Sequence, residues 1–234
     1  MRGETKELNN ETRKSLDGSF IQLPNGVTHY ELNPPLLKGE GLGVRVRSTV
    51  VLIHGFSVPY FIYDPTFRFL TQAGFRVLRY DLFGRGFSDR PHADYNLDLF
   101  VNQLVDLLDA LRITHPVNLI GLSMGGLIAS AFTVRRPERI NKLVLIDPAG
   151  AKSIALTPML KAVKIPFVAE AVLGLVGGEA LVQSNARDFF DPALVDHFAV
   201  QYRIQMQYKG FQRAILSTIR NGLLGSFIHV YEAL

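Results

Sequence analysis

Between residues 48 and 150 the chain alternates short apolar runs with stretches of helical periodicity, and few architectures accept that alternation. "STVVLIHG" (48–55) is apolar almost throughout, as a strand buried on both faces must be. Asp64-Pro65 reads as an N-cap and first helical residue, with Gly74 ending that helix. "FRVLRYD" (75–81) is the next strand. "NLDLFVNQLVDLLDALRI" (96–113) places Leu97, Val101, Leu104, Leu108 and Leu111 on one helical face. "VNLIG" (117–121) is a strand, "GGLIASAFTVRR" (125–136) a helix closed by Pro137, and "NKLVLIDPAG" (141–150) a strand ending in a turn. A β-α-β-α-β-α-β order makes an α/β fold with a mostly parallel sheet covered by helices on both faces. Working residues of such sheets gather at the carboxyl ends of the strands. His54-Gly55-Phe56, Asp81, Ser123 and Asp147 all fall there.

The flanks follow different rules. Residues 1–17 are polar and charged and are expected to be a flexible tail. "SFIQLPNGVTHYELN" offers two strands around Pro24-Asn25-Gly26, a hairpin signal. "NPPLLKGEGLG" (33–43) reads as a Pro/Gly-rich loop. Beyond residue 152 the alternation stops, and several short helices follow without a convincing strand. The expected division is a tail (1–17), an α/β core (18–152), a helical cap (153–224) and the start of a return to the core (225–234). The alternative for the third segment is a separate small helical domain.

Composition removes several function classes. The net charge of +4 is spread over scattered Lys and Arg, with no basic run interleaved with aromatics, so no nucleic-acid partner is expected. With no Cys there is no disulfide, thiolate metal site or Cys nucleophile. No His/Asp/Glu cluster has metal-ligand spacing, and no cofactor is implied. The N-terminal residues lack the apolar core of a secretory signal. "FVAEAVLGLVGGEALV" (167–182) is broken by Glu170, Glu179 and three glycines, so no transmembrane segment is expected. The expected setting is the cytoplasm.

The chemistry concentrates in "NLIGLSMGGLIAS" (118–130), where a strand runs through Gly-x-Ser-x-Gly into a helix. At such an elbow Gly121 and Gly125 leave room for the chain to reverse, and Ser123 stands exposed above the sheet edge. The first N–H groups of the following helix have no intrahelical acceptor and carry the positive end of its dipole. They favour an oxyanion beside the serine. Met124 N–H is the natural first donor, and Phe56, in the loop after the strand at 48–55, is placed as the second.

"VVLIHGFSVPY", "RYDLFGRGFSDRP", "NLIGLSMGGLIA" and "LVLIDPAG", in this order and spacing, resemble the α/β-hydrolase superfamily. The likeness extends over residues 20–230 and is nearest to capped serine esterases, monoacylglycerol-type lipases and meta-cleavage-product hydrolases. It implies Ser123 as nucleophile, with Phe56 and Met124 as oxyanion donors. The implied reaction is hydrolysis of a small to medium hydrophobic carboxylic ester through an acyl-enzyme. Carbon–carbon bond hydrolysis, perhydrolysis and a non-enzymatic ligand-binding homologue are the alternatives. Dehalogenases and most epoxide hydrolases of this fold carry Asp at the elbow, so Ser123 argues against them. In similar proteins the position of His54 supports the oxyanion loop rather than acting as base. Asp81 to Gly86 is expected to be a structural turn, with Arg85 and Asp89 pairing locally. Asp147 stands where some relatives carry an acid, or else braces the turn at Pro148. His29, His92, His115 and His197 are expected at the surface.

The family triad runs Ser, Asp/Glu, His along the chain. Here "GSFIHVYEAL" follows the cap, and His229 lies on the helix that would enter two further strands. The resemblance therefore implies an acid and a base beyond residue 234, in a protein of about 280–300 residues. The C-terminal strands would then be missing and the 234-residue chain inactive alone. An uncovered sheet edge would invite pairing, so an isolated monomer is not expected and a dimer is one state open to it.

Overall fold

The computed structural model describes residues 3–33, 47–152, 178–186, 189 and 191–234. Six strands form one sheet in the order β1-β2-β4-β3-β5-β6. They are β1 (Ser19–Leu23), β2 (Gly26–Asn33), β3 (Arg47–Ile53), β4 (Phe75–Tyr80), β5 (Val117–Leu122) and β6 (Ile140–Ile146). The β1–β2 hairpin pairs antiparallel through β2 onto β4, whereas β4, β3, β5 and β6 run parallel. The expected hairpin and parallel sheet are both present. Most of the expected Pro/Gly-rich loop, and residues 153–177 of the expected cap, lie outside the described residues.

Helices cover both faces. On one, α3 (Leu97–Ala110) and α4 (Met124–Arg135) pack Phe100, Leu104, Leu107, Leu127 and Ile128 against Val51, Ile53, Leu78 and Tyr80. On the other, Phe67 of α2 (Asp64–Gln72) packs with Tyr63 on Val50, Leu52 and Val77. The N-cap of α3 is Asn96, whose side chain accepts the Leu99 N–H at 2.9 Å. At α2 the expectation shifts by one residue. Tyr63 ends a 3₁₀ turn (Tyr60–Tyr63) at the cap position, and Asp64 is the first helical residue, ion-paired to Arg79.

Beyond the core lie α5 (Gly178–Ala186), α6 (Val195–Met206), α7 (Phe211–Arg220) and α8 (Ile228–Glu232). Val182, Phe198, Tyr202, Phe211, Ile215 and Leu216 form their own apolar cluster, against which Phe56, Val58 and Phe61 pack from the core. The terminal α8 rests on the core instead: Val230 joins the main cluster and Phe227 N–H donates to Gly150 O at 2.7 Å.

Residues 3–17 lie against the rest of the chain. Glu4 is buried, and its carboxylate accepts the Gly210 and Gln212 N–H groups at 3.0 and 2.7 Å, at the start of α7. Lys6 bridges Tyr208, and α1 (Asn10–Lys14) carries Arg13 onto Asp89. A charged segment docks here because unpaired helix N–H groups attract its carboxylate. His29 is buried, not superficial. It stacks between Phe20 and Tyr60 and bonds Asp81 at 2.7 Å. His92, His115 and His197 are exposed, as expected.

Among the described residues β6 pairs only with β5, so its outer edge is open. Val144 and Ile146 on it are 46% and 42% exposed.

Candidate active site

Register brings the candidate residues together. Ile53 lies opposite Gly121, and Leu122 opposite Ile146. The next residues along each strand, His54-Gly55-Phe56, Ser123 and Asp147, therefore share one edge. Ser123 holds φ 53° and ψ −118° between β5 and α4, a conformation that side chains rarely occupy. The surrounding glycines make the turn feasible. A Cβ at Gly121 would stand 2.4 Å from Gly125 O, and one at Gly125 would stand 2.1 Å from Ile53 O. Backbone bonds hold the elbow: Ser123 N–H donates to Ile146 O at 2.9 Å, and Ser123 O accepts from Ala149 N–H at 3.0 Å.

Ser123 opens onto a cavity of about 640 Å³. Phe56, Val58, Ile62, Leu122 and Phe189 supply its apolar walls, and Ser57, Asn185 and Asp147 its polar lining. Met124 is buried behind Ser123 as the first residue of α4. Neither Met124 N–H nor Phe56 N–H has a backbone acceptor among the described residues. The Gly55 backbone passes close to the serine: a Cβ there would meet Ser123 Cβ at 3.5 Å.

The loop carrying Phe56 is tied at three successive carbonyls. His54 Nδ1 bonds Gly55 O at 2.9 Å, while its Nε2 accepts the Leu82 N–H at 2.9 Å. Nε2 as acceptor places the ring proton on Nδ1. Because N–H and C=O of a trans peptide point oppositely, fixing Gly55 O also fixes the direction of Phe56 N–H. Arg85 Nε donates to Phe56 O at 2.8 Å, and Gln205 Nε2 to Ser57 O at 3.0 Å. Burial pushes the His54 imidazole down to about 4, against the opposing pull of Asp81. It is neutral at pH 7, with both ring nitrogens occupied.

The expected Arg85–Asp89 pair does not form. Asp89 accepts the Val27 N–H at 2.7 Å and pairs with Arg13, whereas Arg85 turns inward and is fully buried. The glycines flanking Arg85 both take positive φ, 83° at Gly84 and 49° at Gly86, which frees the chain to aim the side chain inward. "FGRGF" carried that signal. Gln205 and Asn185, which reach the same loop from the helical segment, had none.

Asp81 is the structural hub expected of its turn. Its carboxylate accepts the Tyr60 and Phe87 N–H groups at 2.9 Å each and bonds His29. Burial alone would raise its pKa; His29, His54 and the Tyr60 N–H outweigh that and hold it below the ordinary value. The exposed Asp147 sits at φ 41° on the cavity rim. Backbone bonds of Ser123 and Ala149 hold the turn at Pro148. His229 is exposed on α8. Among the described residues, no histidine hydrogen-bonds Ser123. No described group of His, Asp and Glu could hold a metal ion.

A doubly covered, mostly parallel sheet with a strained Gly-x-Ser-x-Gly elbow defines a class, and a family model supplies its name. The model for the alpha/beta hydrolase fold matches residues 48–191, and the chain belongs to that family. The 2-hydroxymuconate semialdehyde hydrolase of Pseudomonas sp. (strain CF600) is 46% identical over 89 residues, 38% of this chain and 31% of that protein. The meta-cleavage product hydrolase CumD of Pseudomonas fluorescens IP01 superposes with a TM-score of 0.66 at 27% identity, covering 89% of this chain and 72% of that one. Cfl2 of Burkholderia cenocepacia shares the fold at 21% identity, with a TM-score of 0.72 over 86% of this chain and 69% of the other. The chain spans less than half the length of the curated relatives it matches. No helix of the described residues is long and apolar enough to cross a membrane.

Proposed function

We propose that the natural protein is a serine hydrolase cleaving a small to medium hydrophobic carboxylic ester through an acyl-enzyme on Ser123. The observation that carries this is the strained elbow presenting Ser123 to an apolar cavity. Ser123 Oγ attacks the ester carbonyl as its proton passes to a general base, and the carbonyl oxygen becomes an oxyanion held by Phe56 and Met124 N–H. Collapse expels the alcohol, which takes up the proton, and water then releases the acid. No described side chain is bonded to Ser123 as that base, so the reaction is assigned to the whole protein. The apolar walls suit a neutral acyl chain. A second reading, hydrolysis of a carbon–carbon bond next to a carbonyl, draws on the hydrolases named above.

A fluorophosphonate probe on the intact natural protein tests the nucleophile: labelling is expected at Ser123 and lost in Ser123→Ala. Turnover of p-nitrophenyl esters against ring-fission dienoates separates the two readings. Labelling with cleavage of dienoates alone transfers the assignment to the second. Saturable ligand binding without labelling removes both and leaves a receptor.

A further inference from the structure

We propose that Arg85 is a positioning residue that sets the Phe56 oxyanion donor according to the seating of the helical segment at α6 and α7. The inference rests on the reading of Phe56 given above. Arg85 is completely buried, yet its hydrogen-bond partners are all neutral: Phe56 O at 2.8 Å, Phe83 O at 3.2 Å and Thr218 Oγ1 at 2.8 Å. The rings of Phe56, Tyr95 and Phe100 stand 5.4 to 5.9 Å from the guanidinium carbon. Among the described residues no carboxylate pairs with it. Burying an unpaired cation is costly, and an apolar side chain of similar volume would fill the space without that cost. What the guanidinium adds is its rigid set of donors.

Those donors join two parts of the molecule that differ in origin along the chain. Nε grips the peptide that follows Phe56, while one terminal nitrogen grips Thr218 on α7. Thr218 in turn donates to Ala214 O at 2.8 Å, so its hydroxyl is already oriented to accept from Arg85. Gln205 on α6 makes a parallel link, accepting the Gly86 N–H at 2.8 Å and donating to Ser57 O at 3.0 Å. With Gly55 O held by His54, the peptides on both sides of Phe56 are fixed. Phe56 also packs on the apolar cluster of the helical segment. A shift of α7 therefore acts on Phe56 through Arg85. Displacing a reacting group by about 1 Å costs on the order of 100-fold in rate.

The test uses the intact natural protein and two substrates, p-nitrophenyl acetate and a longer acyl ester. Arg85→Met is expected to lower kcat about 10- to 100-fold on both, with KM changed less than threefold. Arg85→Lys, which keeps the charge and a single donor nitrogen, should recover part of the loss. Thr218→Val should lower kcat on both esters, and Thr218→Ser should restore it. The Thr218 pair decides the matter where Arg85→Met fails to fold. Unchanged kcat in folded variants overturns the inference while leaving the Ser123 reading intact. So does a rise in KM confined to the longer ester, because that marks a residue shaping the acyl site. A wild-type protein inert to esters and to fluorophosphonate refutes the reading of the site and the inference together.

Discussion

Replacing Ser123 with glycine should make the protein more stable while abolishing its labelling. At φ 53° and ψ −118° a residue with a Cβ carries strain of about 1–3 kcal/mol. Glycine relieves that strain and gives back about 0.5–1 kcal/mol through the greater freedom of the unfolded chain. The hydroxyl contributes little to the folded state, since it does not cap α4. The backbone bonds to Ile146 and Ala149 need no side chain and persist in the variant. The net gain is about 1 kcal/mol, a rise in Tm of about 2–4 °C for a chain of this size. Ser123→Ala is the control, because it removes the hydroxyl and keeps the Cβ; it should stay within about 0.5 kcal/mol of wild type. Thermal melts and urea titrations of the three proteins measure the difference directly. If glycine is no more stable than alanine, the elbow stores no strain.

Acid should weaken the fold through His54. Its folded pKa of about 4 lies below the ordinary 6.5, so the unfolded chain takes up the proton first. The contribution is intact above pH 6.5 and declines as pH falls toward 4, by about 2–3 kcal/mol at pH 4.5. Urea titrations at pH 7 and 4.5 should show His54→Gln losing less stability than wild type on acidification; equal losses would contradict the neutral, buried imidazole. Glu4→Ala should cost about 1–2 kcal/mol, because its carboxylate satisfies two N–H groups at the start of α7. An unchanged melting curve would mean that this contact adds nothing to stability.

The local features were legible in the chain itself. Strand and helix alternation follows from side-chain periodicity, and the hairpin from Pro24-Asn25-Gly26. The elbow at Ser123 follows from glycines whose Cβ atoms would strike neighbouring backbone. Parallel pairing then aligns the ends of β3, β5 and β6, so Phe56, Ser123 and Met124 converge without further information. Polar side chains with distant partners were another matter. His29 meets Asp81, Arg85 meets Thr218 and Glu4 meets the start of α7 across 52, 133 and 206 residues respectively. Nothing in the sequence near any of them names its partner. A charged or polar side chain is stable in the interior only where donors and acceptors surround it, and here those arrive from other elements. The sequence alone determined the turn that exposes a serine; only the tertiary structure decided which buried polar groups hold the loop facing it.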